Sequence, residues 1–257
     1  MVTALITGGT SGIGASFARQ LAEQNYDLVL VARDKARLDE TAEELHTRYG
    51  VTVDTLPADL GQQADLHRVA ERLADPDRPI EVLINNAGFG VHSRLLDPDT
   101  GRHDVAIDVM IKAVLVLSNA AGRAMRERGS GGILNVSSTA GFVTMGNYSA
   151  IKAWVTSYTE ALANELHGTG VRVTALCPGW VRTEFHQRAG INASSIPAPL
   201  WLDAEPLVRQ ALADFEAGKV ISLPSLRYKI LIGLARHLPR GAIRAVSRMM
   251  SSSRHDS

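Results

Sequence analysis

Seven short runs of strand-forming residues recur along the chain with helix-forming stretches between them, and this alternation restricts the fold most. The runs are Val2–Thr7, Asp27–Ala32, Val51–Leu56, Val82–Asn85, Ile133–Ser137, Val171–Cys177 and Lys219–Ser222. The stretches are Ile13–Gln24, Lys35–Tyr49, Gln62–Leu73, roughly Thr100–Arg128, Tyr148–Leu166 and Ala204–Gly218. Such alternation predicts a parallel sheet covered by helices on both faces. Uninterrupted apolar runs such as Leu28-Val29-Leu30-Val31 suit strands buried on both sides. The expected fold is α/β and doubly wound, with a parallel sheet of about seven strands and a helical C-terminal extension. Residues 1–222 would form the nucleotide-binding body and 223–257 a basic extension of the same domain. Asp203, ahead of Ala204-Glu205-Pro206, is expected to cap its helix.

Composition removes several classes of function. The 257 residues contain 27 Lys+Arg and 27 Asp+Glu, so the chain is not a generally basic nucleic-acid binder. Cys177 is the one cysteine, which excludes an intramolecular disulfide and a cysteine-only metal site. None of the eight histidines stands at metal-ligand spacing, and no metal is expected. Lys112 and Ser118 interrupt the most apolar stretch before it reaches the ~20 residues of a membrane span. These features read as a soluble, cytoplasmic protein. Zero net charge conceals a division: residues 217–257 carry eight Lys/Arg and one Asp.

After the first strand comes Thr7-Gly8-Gly9-Thr10-Ser11-Gly12-Ile13-Gly14, opening a helix. Small residues allow a tight turn, and the helix N-terminus offers unpaired N–H groups to a pyrophosphate. An acid about 20 residues on usually binds the adenosine ribose. Here Arg33 arrives at that place, followed by Asp34. A guanidinium suits a 2′-phosphate, so NADP(H) is favoured. The competing reading makes Asp34 the ribose ligand and the cofactor NAD(H).

Together these and later motifs resemble the short-chain dehydrogenase/reductase family from Val2 to about Thr183. Gly8, Thr10, Ser11, Gly12, Ile13 and Gly14 lie in its glycine turn. Asp59 and Leu60 resemble the pair bordering the adenine. Asn85-Asn86-Ala87-Gly88 resembles its N-N-A-G signature, and Tyr148-Ser149-Ala150-Ile151-Lys152 its Y-x-x-x-K motif. Pro178, Gly179, Val181 and Thr183 fall in the turn beside the nicotinamide. The resemblance implies a catalytic set of Ser138, Tyr148 and Lys152, with Ser137 a competing serine. It also implies a homodimer or homotetramer, and Asn86, Ala87, Gly88, Tyr148 and Lys152 near the nicotinamide end.

The chemistry is reasonable on its own terms. Tyr148 and Lys152 share a helix face at i, i+4. A neighbouring ammonium is expected to lower the phenol pKa toward a useful value. Ser138 would hydrogen-bond the substrate oxygen as charge develops on it. The reaction would move hydride between nicotinamide and a carbonyl/alcohol pair. The general texture of the strands is closest to relatives acting on lipophilic substrates.

Two features depart from the family. Met110 stands where members place an asparagine that supports a proton relay, and Asn119 is too far along to replace it. Ser138 and Tyr148 are ten residues apart, a shorter loop than in many members. Met110 motivates a second reading, a cofactor-binding redox sensor or scaffold with little catalysis. The tail, with Tyr228–Arg236 and Ala242–Met250 apolar and laced with arginines, motivates two more: peripheral contact with an anionic membrane, or docking to an acidic protein. Trp180, Phe185 and Trp201 are candidates to line a lipophilic pocket, and His92 to sit near the cleft.

Overall fold

The computed structural model describes residues 2–91, 93–184, 197–237, 239, 241–245 and 247. Its main sheet has seven parallel strands: β1 (Thr3–Thr7), β2 (Asp27–Ala32), β3 (Val53–Pro57), β4 (Val82–Asn85), β5 (Gly131–Val136), β6 (Val171–Leu176) and β9 (Ile221–Ser222). Their spatial order is β3-β2-β1-β4-β5-β6-β9. The order reverses direction between β1 and β4, and such switch points open the crevice where α/β sheets bind ligands. A separate pair, β7 (Trp180–Val181) and β8 (Trp201–Leu202), was not expected from the sequence.

Each strand alternates its side chains between two cores. Ala4, Ile6, Leu28 and Leu30 face α1 (Gly12–Glu23), α2 (Lys35–Tyr49) and α7 (Ala204–Glu216). Leu5, Val29 and Val31 face α3 (Gln63–Ala74) and α5 (Ala113–Arg128), with Leu162 and Leu166 from the end of α6 (Gly146–Glu165). This period-two division is what a sheet buried on both faces requires. It accounts for the continuous apolar strands.

The stretch from Gly101 to Arg128 is helical throughout but not uniform. An α-helical turn, α4 (Gly101–Ile107), passes through a π-helical segment, Asp108–Lys112, into α5. Over its most apolar window mean hydropathy reaches 1.7, so by length and composition this helix is long enough to cross a membrane. The sequence predicts one helical stretch over roughly Thr100–Arg128, with Lys112 and Ser118 interrupting only its most apolar run. In the fold Ala113, Leu117, Ala121 and Met125 pack into the core, and Ser118 is fully buried there.

Asp203 precedes α7 as expected, but its side chain makes no cap. It pairs with Arg182 at 3.0 Å. The first turn of α7 is tied down by Glu205, which meets Arg19 and accepts from Gln20 Nε2 at 2.8 Å. The last described helix, α8 (Leu226–His237), buries Tyr228 and Ile232 and exposes Leu226, Ile230, Leu231 and Leu234. Val246 and Arg248–Met250 of the Ala242–Met250 stretch lie outside the described residues, as do His92 and Phe185.

Candidate active site

The glycine turn is locked from two sides. Gly8 N–H donates to Val31 O at 2.7 Å. Thr7 Oγ1 receives both Asn86 N–H (2.9 Å) and Ala87 N–H (3.0 Å). Asn86 Nδ2 donates to the carbonyls of Thr7 (2.9 Å) and Gly8 (3.1 Å). The Asn86 amide is therefore engaged in holding the turn. Gly14 packs so closely that a β-carbon there would fall 2.1 Å from Gly8 O. Gly12 has φ +53°, a region that favours glycine, and its missing side chain leaves room beside Thr183.

Ser11 is extended at the start of α1 and makes no side-chain cap there. The first N–H groups of α1 are thus left to a ligand. Thr10, Ser11 and Ile13 are half-buried around this opening. At the end of β2, Arg33 is exposed and has no ion-pair or hydrogen-bond partner among the described residues. Asp34 caps α2, accepting Arg37 N–H at 3.1 Å. Asp59 turns inward on its own loop, accepting Gly61 N–H at 3.0 Å, and Leu60 is buried. The N-terminus of α1 opening at this turn is the kind of site that suits the pyrophosphate of a dinucleotide.

The ends of β5 and α6 bring the three candidate catalytic residues together. The Ser138 hydroxyl stands near enough to the Tyr148 phenol to lower its pKa. Ser138 Oγ also accepts Ala140 N–H at 3.1 Å, starting a short 3₁₀ turn over Thr139–Phe142. That turn spans the short Ser138–Tyr148 connection without parting the two residues. Ser137 faces away: its Oγ lies 2.7 Å from both Lys152 O and Thr156 Oγ1, buried against α6. Lys152 Nζ donates to Val136 O at 2.8 Å and stands 5.7 Å from the Tyr148 ring centroid.

Burial governs both titrating groups. It pushes the Tyr148 phenol up to about 12, against a smaller lowering by the Ser138 hydroxyl. It pulls the Lys152 ammonium down to about 8. The expected net lowering of the phenol by the lysine is not found. Desolvation penalises phenolate more than these surroundings stabilise it.

Met110 sits at the centre of the π-helical segment, 1% exposed, in a small core with Ala106 and Ile151. Its Sδ lies 3.1 Å from where a β-carbon on Gly88 would sit, and Lys152 Nζ 3.8 Å from the same point. Methionine thus fills the space between the Gly88 loop and the catalytic helix.

The Pro178–Thr183 turn closes the far wall. Pro178 O accepts Thr139 N–H at 2.9 Å, and Val181 is buried. Gly179 lies directly under the Tyr228 ring. Tyr228 Oη accepts Trp180 N–H (3.1 Å) and donates to Leu200 O (2.8 Å). Trp180 and Trp201 meet at 6.2 Å between centroids on the β7–β8 pair.

Several supporting residues, Asn85 of the N-N-A-G stretch apart, carried no sequence signal. Asn85 Nδ2 donates to Ser118 Oγ (3.0 Å) and Asn135 Oδ1 (2.9 Å), and Asn135 Nδ2 donates to Thr159 Oγ1 (3.0 Å). This buried chain fastens β4, β5, α5 and α6 beneath the site. His103 bridges Asn147, next to Tyr148, and Arg94 O at 3.0 and 3.1 Å. Each is an ordinary polar residue until the fold supplies its partner.

A doubly wound sheet with a cradle at its switch point and a Ser-Tyr-Lys cluster beside it defines a nucleotide-dependent oxidoreductase class. The family model for short chain dehydrogenase matches residues 2–193, and the chain belongs to that family of NAD(P)-binding oxidoreductases. It is similar to a short-chain dehydrogenase from Sphingobium yanoikuyae in complex with NADPH, with TM-score 0.84 and 37% identity over 92% of this chain and 94% of that one. The bulky-bulky ketone specific alcohol dehydrogenase from Comamonas testosteroni gives TM-score 0.79 and 34% identity, over 93% and 96%. Sulfoacetaldehyde reductase 2 from Chromohalobacter salexigens is 36% identical over 216 residues, 82% of this chain and 84% of that protein.

Proposed function

We propose that the chain is an NADP(H)-dependent oxidoreductase acting on a carbonyl/alcohol pair, with Ser138, Tyr148 and Lys152 as its catalytic residues. The observation that carries this reading is that the fold gathers the Ser138 hydroxyl, the Tyr148 phenol and the buried Lys152 ammonium at one place, the hydroxyl near enough to lower the phenol pKa and the ammonium 5.7 Å from the ring centroid. When bound, the nicotinamide supplies or accepts the hydride. The residues of the chain handle the proton. A phenol held up to about 12 stays protonated at neutral pH, which suits a proton donor to the carbonyl oxygen. Ser138 donates a second hydrogen bond to that oxygen as its charge grows. Lys152, fixed by Val136 O, would orient the cofactor ribose.

Arg33, which has no partner among the described residues, and the use of Asp34 as a helix cap support NADP(H) over NAD(H). The NADPH in the Sphingobium relative supports it too. Thr10–Gly14 would hold the pyrophosphate, Asp59 and Leu60 border the adenine, and Ala87, Gly88 and Pro178–Thr183 flank the nicotinamide. The Trp180–Trp201 pair supports a lipophilic carbonyl substrate, as does the bulky-ketone preference in the name of the Comamonas enzyme. Tyr228 supports treating residues after 223 as part of the same domain. Exposed Ile107 and Leu115 support a homo-oligomer.

The test is a fluorescence titration with NADPH and NADH, then a carbonyl panel on the same protein. Tighter NADPH binding with turnover of a panel member is the expected result. Tyr148→Phe should abolish turnover and leave NADPH binding intact. Equal turnover in that variant would remove Tyr148 from the mechanism.

A further inference from the structure

One ion pair crosses from the adenosine side of the cleft to the Thr183 side. Arg37 lies in the first turn of α2, three residues beyond Asp34. Its guanidinium grips Glu184 in a fork: Nη2 to Oε1 at 3.0 Å, Nη1 to Oε2 at 3.3 Å. The partners are 147 residues apart in sequence. Glu184 directly follows Thr183, whose Cβ lies 3.2 Å from the β position of Gly12. The segment entering Glu184 therefore runs along the N-terminus of α1 before it reaches Arg37. Both side chains remain partly open to solvent, 35% for Arg37 and 47% for Glu184.

We propose that Glu184 is a specificity determinant for the adenosine end of the cofactor: its carboxylate holds Arg37 in the position a 2′-phosphate would claim, and phosphate binding displaces it. This rests on the NADP(H) reading above. Fork geometry toward a carboxylate is also the geometry a guanidinium uses toward phosphate. An exposed carboxylate–guanidinium pair is weak, so a dianion shared between Arg33 and Arg37 outcompetes it. A carboxylate left beside that dianion repels it, so the pair opens when NADP(H) arrives. NAD(H) carries no such phosphate and leaves the pair closed. A ligand that draws Glu184 away would strengthen phosphate binding, and phosphate would strengthen that ligand's binding by the same factor.

Calorimetry with adenosine 2′,5′-bisphosphate and adenosine 5′-monophosphate tests this without turnover, with NADPH and NADH as full-length probes. Glu184→Gln is expected to tighten the bisphosphate and NADPH by about two- to fivefold, and to leave the monophosphate and NADH unchanged. Arg37→Ala is expected to weaken NADPH by about tenfold and to shrink the effect of Glu184→Gln made on top of it. Unchanged bisphosphate affinity in Glu184→Gln would overturn the proposal while leaving the NADP(H) reading standing. Equal tightening of both nucleotides would also overturn it. If the unaltered protein binds the bisphosphate no more tightly than the monophosphate, the NADP(H) reading itself fails and this proposal falls with it.

Discussion

The Tyr228 ring occupies the space that a side chain at position 179 would need: a β-carbon on Gly179 would lie 1.9 Å from Cζ of Tyr228. The ring seals the turn beside the candidate active site, and its hydroxyl ties Trp180 to Leu200. Gly179→Ala should therefore lift α8 off the body and cost about 1–3 kcal/mol. Tyr228→Phe keeps the ring and should cost about 1 kcal/mol through the two lost hydrogen bonds. Denaturant unfolding measures both, and trypsin should cut faster at Arg227 and Lys229 in the alanine variant. Unaltered cleavage there would mean that the ring contact does not hold the helix.

Stability should rise with pH above 8 in the cofactor-free protein. Lys152 loses its proton at about 8 when folded and at 10.5 in the ordinary state. Burying the charged amine costs about 3 kcal/mol below pH 8, and this cost is relieved as pH rises toward 10.5. Lys152→Met should thus stabilise the cofactor-free fold at pH 7 by about 1–3 kcal/mol, after the lost bond to Val136 O, and the gain should fade by pH 10.

Tyr148 works in the opposite sense at higher pH. Its folded value of about 12 exceeds the ordinary 10, so its contribution is intact below pH 10 and is lost between 10 and 12. Tyr148→Phe should flatten that decline in a melting curve series.

Met110→Asn restores the residue common in the family but places an amide in an apolar pocket. The side chain is 1% exposed and packs with Ala106 and Ile151. A destabilisation of about 1–3 kcal/mol is expected, with no gain in turnover, because Lys152 Nζ already has Val136 O. A faster enzyme with an unchanged Tm would show that the methionine impairs proton transfer.

Asn135→Leu should be among the most damaging changes, at about 2–4 kcal/mol. It takes one partner each from Asn85 Nδ2, Ser118 Oγ and Thr159 Oγ1 in a fully buried setting, Thr159 keeping its bond to Val155 O. Asn85→Leu in the same background should add little, since the two residues share one network.

Much of the scaffold was legible because its signals are local. β2, β4 and α2 begin and end where their residue patterns say, and the strand alternation implied the parallel sheet. Tyr148 and Lys152 share a face by helix geometry alone. Other features were missed or misread. β7–β8 is a two-residue pairing with no periodicity to detect. Asp203 looked like a cap, yet Arg182 takes its carboxylate. The Tyr148 pKa was expected to fall because a lysine stands one turn away, but burial raises it and the lowering that opposes burial comes from Ser138.

By itself, then, the sequence determined the alternation of strands and helices, the glycine turn and the spacing of Ser138, Tyr148 and Lys152. These depend on backbone preference and short-range geometry, which neighbouring residues carry between them. Only the tertiary structure decided that Ser138 rather than Ser137 faces the phenol, that Asn85 meets Asn135, that Tyr228 covers Gly179, and that Arg37 holds Glu184. Those contacts join residues from ten to nearly 150 positions apart. Their partners, and the desolvation that sets the pKa values of Tyr148 and Lys152, exist only once the sheet has closed over both cores.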